Sequence, residues 1–147
     1  MHRRASCELR RPLRARPRGF TLFEVMIAMA VVALLIAIAW PAYFEQIARG
    51  RRSDVQTQLM DDANYLQRYY ASNNTYATAA GLPASQSPLN GAANYNITIA
   101  SQSDTGFQLT AARTGAMSGD KCGDFTYDNL GTKGLSGTNE AVTSCWK

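Results

Sequence analysis

Arg18-Gly19-Phe20-Thr21-Leu22-Phe23-Glu24 joins an arginine-rich start to Val25–Phe44, a run of 20 residues without a charge. As a helix the run is about 30 Å long, the thickness of a bilayer's hydrocarbon core. It is built of Ala, Val, Leu, Ile and Met, which suits a lipid-facing surface, and it predicts a membrane-spanning helix. Pro41 near its end removes a backbone donor and predicts a kink. Trp40, Tyr43 and Phe44 gather at the same end, as aromatics do at a membrane–water interface. Glu24 stands at the mouth of the run. A carboxylate there is costly in lipid without a partner, so the chain is expected to use it.

Charge is divided unevenly along the 147 residues. Seven arginines against Glu8 give the first nineteen residues a charge of +6, and because the whole chain totals +4, the remainder carries −2. An arginine flank on the N-terminal side of a span stays in the cytoplasm, so everything after Phe44 faces outward. A phosphate-binding surface should lie on the folded part, and that part is mildly acidic; nucleic acid is therefore not the expected partner. Cys122 and Cys145 form an even pair in the exported part, whereas Cys7 stays on the side where thiols remain reduced. The length allows one modest domain.

From Glu45 the composition changes but a helical period continues. Val55, Leu59, Ala63, Leu66 and Tyr70 recur at spacings of 4, 4, 3 and 4, while Asp54, Gln58, Asp61, Asp62 and Arg68 fill other positions. This predicts an amphipathic helix over 45–71 with one buried stripe, ending at the turn signals Ser72-Asn73-Asn74-Thr75. Residues 72–93 read as an irregular connecting loop. Tyr95, Ile97 and Ile99 then alternate with Asn96 and Thr98, and Phe107, Leu109 and Ala111 with Gln108 and Thr110, a hairpin turned at Asp104 and Gly106. Phe125 and Tyr127 add a short strand. The expected fold is α+β: one long helix whose stripe covers a small antiparallel sheet of three or four strands.

These residues resemble a type IV pilin precursor, most like a minor pilin of the PilE type in type IVa pili. The likeness lies in Gly19 to Glu24, Pro41, Tyr69-Tyr70 and Tyr95-Asn96-Ile97-Thr98. It extends through Cys122-Gly123 and Gly131-Thr132-Lys133-Gly134 to Cys145-Trp146-Lys147. It implies a leader 1–19 cut off by a prepilin peptidase between Gly19 and Phe20, with N-methylation of Phe20. It implies a transmembrane and filament-core helix 20–44 and a globular head 45–147. It further implies assembly with other pilin subunits by an inner-membrane platform and a cytoplasmic ATPase. The subunit would wait as a single-pass protein of a bacterial inner membrane, its C-terminus periplasmic, and afterwards belong to an extracellular pilus serving twitching motility or adhesion. The leader is long for the family, and a start at Leu13 would leave a short one. Ala33 stands where related pilins often carry Gly.

Two pairings follow. Cleavage frees an ammonium at Phe20, and a filament core buries it together with Glu24; a buried carboxylate is tolerable only when paired. Glu24 of an incoming subunit is thus expected to pair with the Phe20 amine of a neighbour, with Pro41 shaping the helix. A Cys122–Cys145 disulfide is expected to staple the C-terminal loop to a thin sheet. Asp120, Asp124 and Asp128 recur every four residues, but the spacing fits no calcium loop and they read as solvated turn residues. The sole histidine, His2, lies in the leader, so neither a histidine-based triad nor a Cys/His metal cluster is available. No catalytic residue, cofactor or metal, and no ligand pocket, is expected. Three alternatives remain: a type II secretion pseudopilin, a DNA-uptake pilin, and an ordinary secretory signal ending at Ala37-Ile38-Ala39.

Overall fold

The computed structural model describes residues 19–146, which separate into two compact units divided between Ala39 and Trp40. Residues 1–18, with Cys7, His2 and Leu13, lie outside the described residues. Helix α1 runs Leu22–Asn73 and contains Pro41. Its end is set by Asn74, which adopts the left-handed conformation (φ 54°) and donates its N–H to the Tyr70 carbonyl at 2.7 Å. Asparagine tolerates that conformation because its short polar side chain bonds locally. The helix therefore outlasts its expected end by two residues.

Beyond α1 the chain forms one antiparallel sheet in sequential order: β1 (Gln86–Ser87), β2 (Tyr95–Gln102), β3 (Phe107–Arg113), β4 (Asp124–Asp128) and β5 (Lys133–Ser136). A short 3-10 turn at Gly115–Met117 lies between β3 and β4, and a one-turn helix α2 spans Val142–Cys145. Tyr95 and Ile97 on β2, and Phe107, Leu109 and Ala111 on β3, point inward, while Asn96, Thr98, Gln108 and Ala112 point out. The period-2 alternation thus buries one face of the sheet. That face meets Val55, Leu59, Ala63 and Leu66, all at 2% exposure or less. Aromatic rings close the ends of the core. Tyr76 stacks on Tyr70 and meets Phe107 edge-on at one end, and Phe125 lies edge-on between Tyr95 and Trp146 at the other.

The sheet has five strands where three or four are expected, for two reasons. β1 is two residues long, too short for any period to register. β5 holds Gly134, whose Cα approaches Thr126 so closely that a side chain there would collide with the threonine hydroxyl, so composition alone reads it as loop. The connecting segment 72–93 also contributes to the core, with Tyr76, Ala79 and Ala84 buried.

Candidate assembly site

Gly19, Phe20 and Thr21 are non-helical and exposed. Thr21 caps α1: its hydroxyl accepts the Glu24 N–H at 3.2 Å, and its carbonyl accepts the Val25 N–H at 3.2 Å. Thr21-Leu22-Phe23-Glu24 is thus one half of a capping box, a Thr and a Glu three apart at the start of an apolar run. The carboxylate also sits in the first turn, where the helix dipole favours negative charge. Phe20 and Glu24 border one shallow groove with Val25, Ala28, Met29 and Val32. Phe20, Leu22 and Phe23 are 71–82% exposed, and the most apolar window of α1 has none of its residues buried. So long an uncovered apolar surface requires lipid or other protein around it.

At the base of the head, polar side chains of α1 reach inward on the same helical positions as the stripe. Arg52 is 5% exposed. Its Nε donates to both Asp120 oxygens, at 3.0 and 3.2 Å, its second arm donates to Asp120 Oδ2, and Nη1 donates to Glu45 Oε1 at 3.1 Å. Glu45 also meets Arg49 at 3.4 Å and Lys121 at 3.3 Å. Arg52 above all, and then Lys121, hold the Glu45 carboxyl down at about 2, and the two carboxylates raise Arg52 further above its usual value. One turn on, buried Gln56 donates to the Cys145 carbonyl at 2.7 Å.

Cys122 and Cys145 are joined by a disulfide, with Cα atoms 5.7 Å apart. The loop they close is held from three sides. Arg52 holds Asp120, whose Oδ1 also accepts the Cys122 N–H at 3.1 Å. Arg113 donates to the carbonyls of Asp120 and Gly137 at 2.7 and 3.1 Å. Trp146 donates its ring N–H to the Gly134 carbonyl at 2.9 Å. Gly123, next to the disulfide, has φ +69°, and a Cβ there would strike the Ser136 carbonyl oxygen; only glycine fits.

The three spaced aspartates do not converge. Asp120 serves Arg52, Asp124 accepts the Arg113 N–H at 3.0 Å, and Asp128 accepts the N–H groups of Leu130 and Thr132 at 2.9 and 2.8 Å. Among the described residues no group of carboxylates, Cys or His is placed to hold a metal. The expectation of solvated turns fits Asp128, but not Asp120, which is buried in an ion pair. A cleft of about 210 Å³ does exist, between Glu45, Arg49, Gln56, Lys121 and Glu140, where a lone helix on a small sheet suggests none.

Asp62 also departs from expectation. Read as part of the polar face, it is fully buried. Its Oδ1 accepts the Ala84 N–H at 3.2 Å, Oδ2 has no partner among the described residues, and burial lifts its pKa to about 6. Arg52, Gln56 and Asp62 all fall on the helical spacing of the apolar stripe, so position marks them even though polarity disguises them.

A sequence family described as type IV minor pilin ComP, DNA uptake sequence receptor, matches residues 41–126, and the prokaryotic N-terminal methylation motif matches 14–40. The type IV wide pilus major component PilA4 of Thermus thermophilus is 28% identical over 86% of this chain and 92% of its own length. The type IV major pilin PilE of Neisseria gonorrhoeae is 34% identical over 48% of this chain, and the chain spans 44% of that protein. The solved structure of the non-core minor pilin PilV of Neisseria meningitidis superposes with a TM-score of 0.52 at 27% identity, covering 66% of this chain and 94% of that one. Such relatives are structural proteins that assemble with other pilin subunits into pili, after being held in a membrane by an apolar N-terminal helix like this one. By motif, by head and by fold, the chain belongs to the type IV pilin family.

Proposed function

We propose that this pilin is a minor, non-enzymatic subunit whose precursor waits in a bacterial inner membrane with its head in the periplasm. A prepilin peptidase then cuts between Gly19 and Phe20, and Phe20 is N-methylated. An inner-membrane platform next moves the subunit into the filament, where Glu24 meets the Phe20 amine of a neighbour. The observation that carries this reading is the exposed apolar helix opened by Thr21 and Glu24. In lipid or in a filament its surface stays out of water, so transfer from one to the other changes neighbours without an apolar penalty. Ala28, Ala30, Ala33, Ala37 and Ala39 would let helices approach closely. The non-helical, exposed Gly19–Phe20 bond leaves a peptidase free backbone to bind. Mass spectrometry of sheared fibres tests the proposal: the chain's N-terminal peptide should start at methylated Phe20. A fibre-borne chain retaining residues 1–19, or starting at Trp40, would refute it.

The match to a DNA uptake receptor family supports a second reading, a pilin that binds DNA. Against it, three of the head's cations, Arg52, Arg113 and Lys121, are drawn into pairs with Asp120, Asp124 and Glu45. Retardation of DNA by fibres containing the subunit, weakening steeply with salt, would favour it.

A further inference from the structure

Where α1 leaves its apolar run, a groove of about 570 Å³ opens between the helix and the turn Gly115–Asp120. Its floor is apolar: Pro41, Phe44, Ile47 and Ala48 on the helix, Ala116 and Met117 on the turn. Three charged residues border it, and two are already satisfied, since Asp120 is held by Arg52 and Glu45 by Arg52, Arg49 and Lys121. The third, Arg51, is half-buried and belongs to no ion pair among the described residues. Its Nη1 donates to the Met117 sulfur at 3.9 Å. A guanidinium beside an apolar groove, with no anion of its own, is an anion site.

The groove's place in the chain identifies the anion. It begins at the last residues of the membrane-length run, beside Trp40, Tyr43 and Phe44, which are 52–65% exposed and pack ring against ring. Such a cluster sits at headgroup level. Arg51 follows Phe44 by seven residues, roughly 10 Å along the helix, and helical side chains lean back toward the N-terminus, so its fork reaches toward that level. We propose that the groove holds an anionic phospholipid of the leaflet on the head's side, its phosphate on the Arg51 fork and the first part of a chain along the floor from Pro41 to Met117. A guanidinium recognises phosphate with two parallel hydrogen bonds, and the apolar floor distinguishes a lipid from free phosphate. The site would anchor the waiting subunit's head to the bilayer surface, and entry into a fibre would require giving the lipid up. This rests on the membrane-held state proposed above.

The full-length chain, reconstituted in vesicles of phosphatidylcholine with or without phosphatidylglycerol, provides the test. Flotation reports insertion; native mass spectrometry of chain released from the mixed vesicles reports which lipid stays bound. Wild type should retain phosphatidylglycerol over phosphatidylcholine by about fivefold, the typical worth of one basic side chain at an anionic surface. Arg51→Gln should bring the ratio near parity while inserting normally, and Arg49→Gln, whose side chain lies outside the groove, should keep the preference. An inserted wild-type chain with no preference, or equal losses in both variants, overturns the lipid site alone. Free phosphate competing as well as the lipid, or a second copy occupying the groove in cross-linking, also overturns it. A chain that fails to float with either vesicle overturns the membrane-held state as well.

Discussion

Arg52 and Asp120 stand 68 residues apart in the chain and meet as a two-pronged ion pair with side chains only 6% and 5% exposed. Removing both charges from water is costly, and good geometry with added hydrogen bonds offsets that cost. Both conditions hold, because Asp120 also takes the Cys122 N–H and Arg52 also takes Glu45. Breaking the pair on one side strands a charge. Arg52→Ala should therefore destabilise the head by about 3–5 kcal/mol. The double change Arg52→Met with Asp120→Leu should restore most of that loss. Urea unfolding of the detergent-solubilised variants measures both, and additive losses would rule out the coupling.

The disulfide closes a loop between cysteines 23 residues apart, a constraint worth about 3 kcal/mol on the unfolded chain. Changing both cysteines to Ser should lower stability by about that amount. The variant should still fold, because Gln56, Arg52 and Trp146 hold the same loop without the bond. Denaturation with and without reductant decides the matter. A change no larger than that of a surface substitution would show that the unfolded chain is not constrained as argued.

Two carboxyls impose opposite pH dependences. Burial holds Asp62 at about 6 against an ordinary value of 3.8. Its folded form then binds the proton more tightly than its unfolded form, so stability falls as pH rises from about 4 to about 6 and stays lowered above. The full effect is about 3 kcal/mol for a group this buried. Glu45, held at about 2 by Arg52 and Lys121, contributes stability above its ordinary 4.5 and loses it as pH falls toward 2. Unfolding followed across pH should show a maximum on the acid side of neutrality. Asp62→Asn should raise stability at pH 7 and remove the decline between 4 and 6. Glu45→Gln should flatten only the acid limb, leaving the part due to Asp128, which turn N–H groups hold low. A flat wild-type curve between pH 4 and 6 would mean that Asp62 finds a partner on ionising.

Asp62 also shows where sequence runs short. The stripe Val55, Leu59, Ala63 and Leu66 and the alternation on β2 and β3 were legible because local spacing alone puts apolar side chains on one face. Asp62 shares that face, but its reason for being there is the Ala84 N–H, supplied by a segment without period. Arg52 and Gln56 depend on Asp120 and Cys145 in the same way, and no local pattern announces a partner so distant. Asp120, Asp124 and Asp128 read as solvated turn residues, yet each has a specific partner, and that of Asp120 is Arg52, which no local pattern announces. Thr21 is the reverse case: Thr and Glu three apart before an apolar run is a cap signal written in the sequence.

Glu24 has one role that the structure shows and one that is proposed, and substitution can separate them. As the third residue of the helix it lends its N–H to the Thr21 cap, and its charge favours the helix start. As the only carboxylate at the mouth of the apolar run, it is also the group proposed to meet a neighbour's Phe20 amine. Thr21→Val removes the cap, worth about 1 kcal/mol, and leaves the charge. Glu24→Gln keeps the backbone N–H and the side chain's size but removes the charge. If the cap were the important part, Thr21→Val would assemble poorly while Glu24→Gln, which keeps the capping N–H, would assemble normally. If the charge matters, Glu24→Gln should insert and be cut normally yet be absent from sheared fibres, while Thr21→Val enters them near the wild-type level. Immunoblots of membrane and fibre fractions distinguish the two, and incorporation of Glu24→Gln at the wild-type level would end the pairing proposal, because an uncharged amide cannot neutralise a buried ammonium.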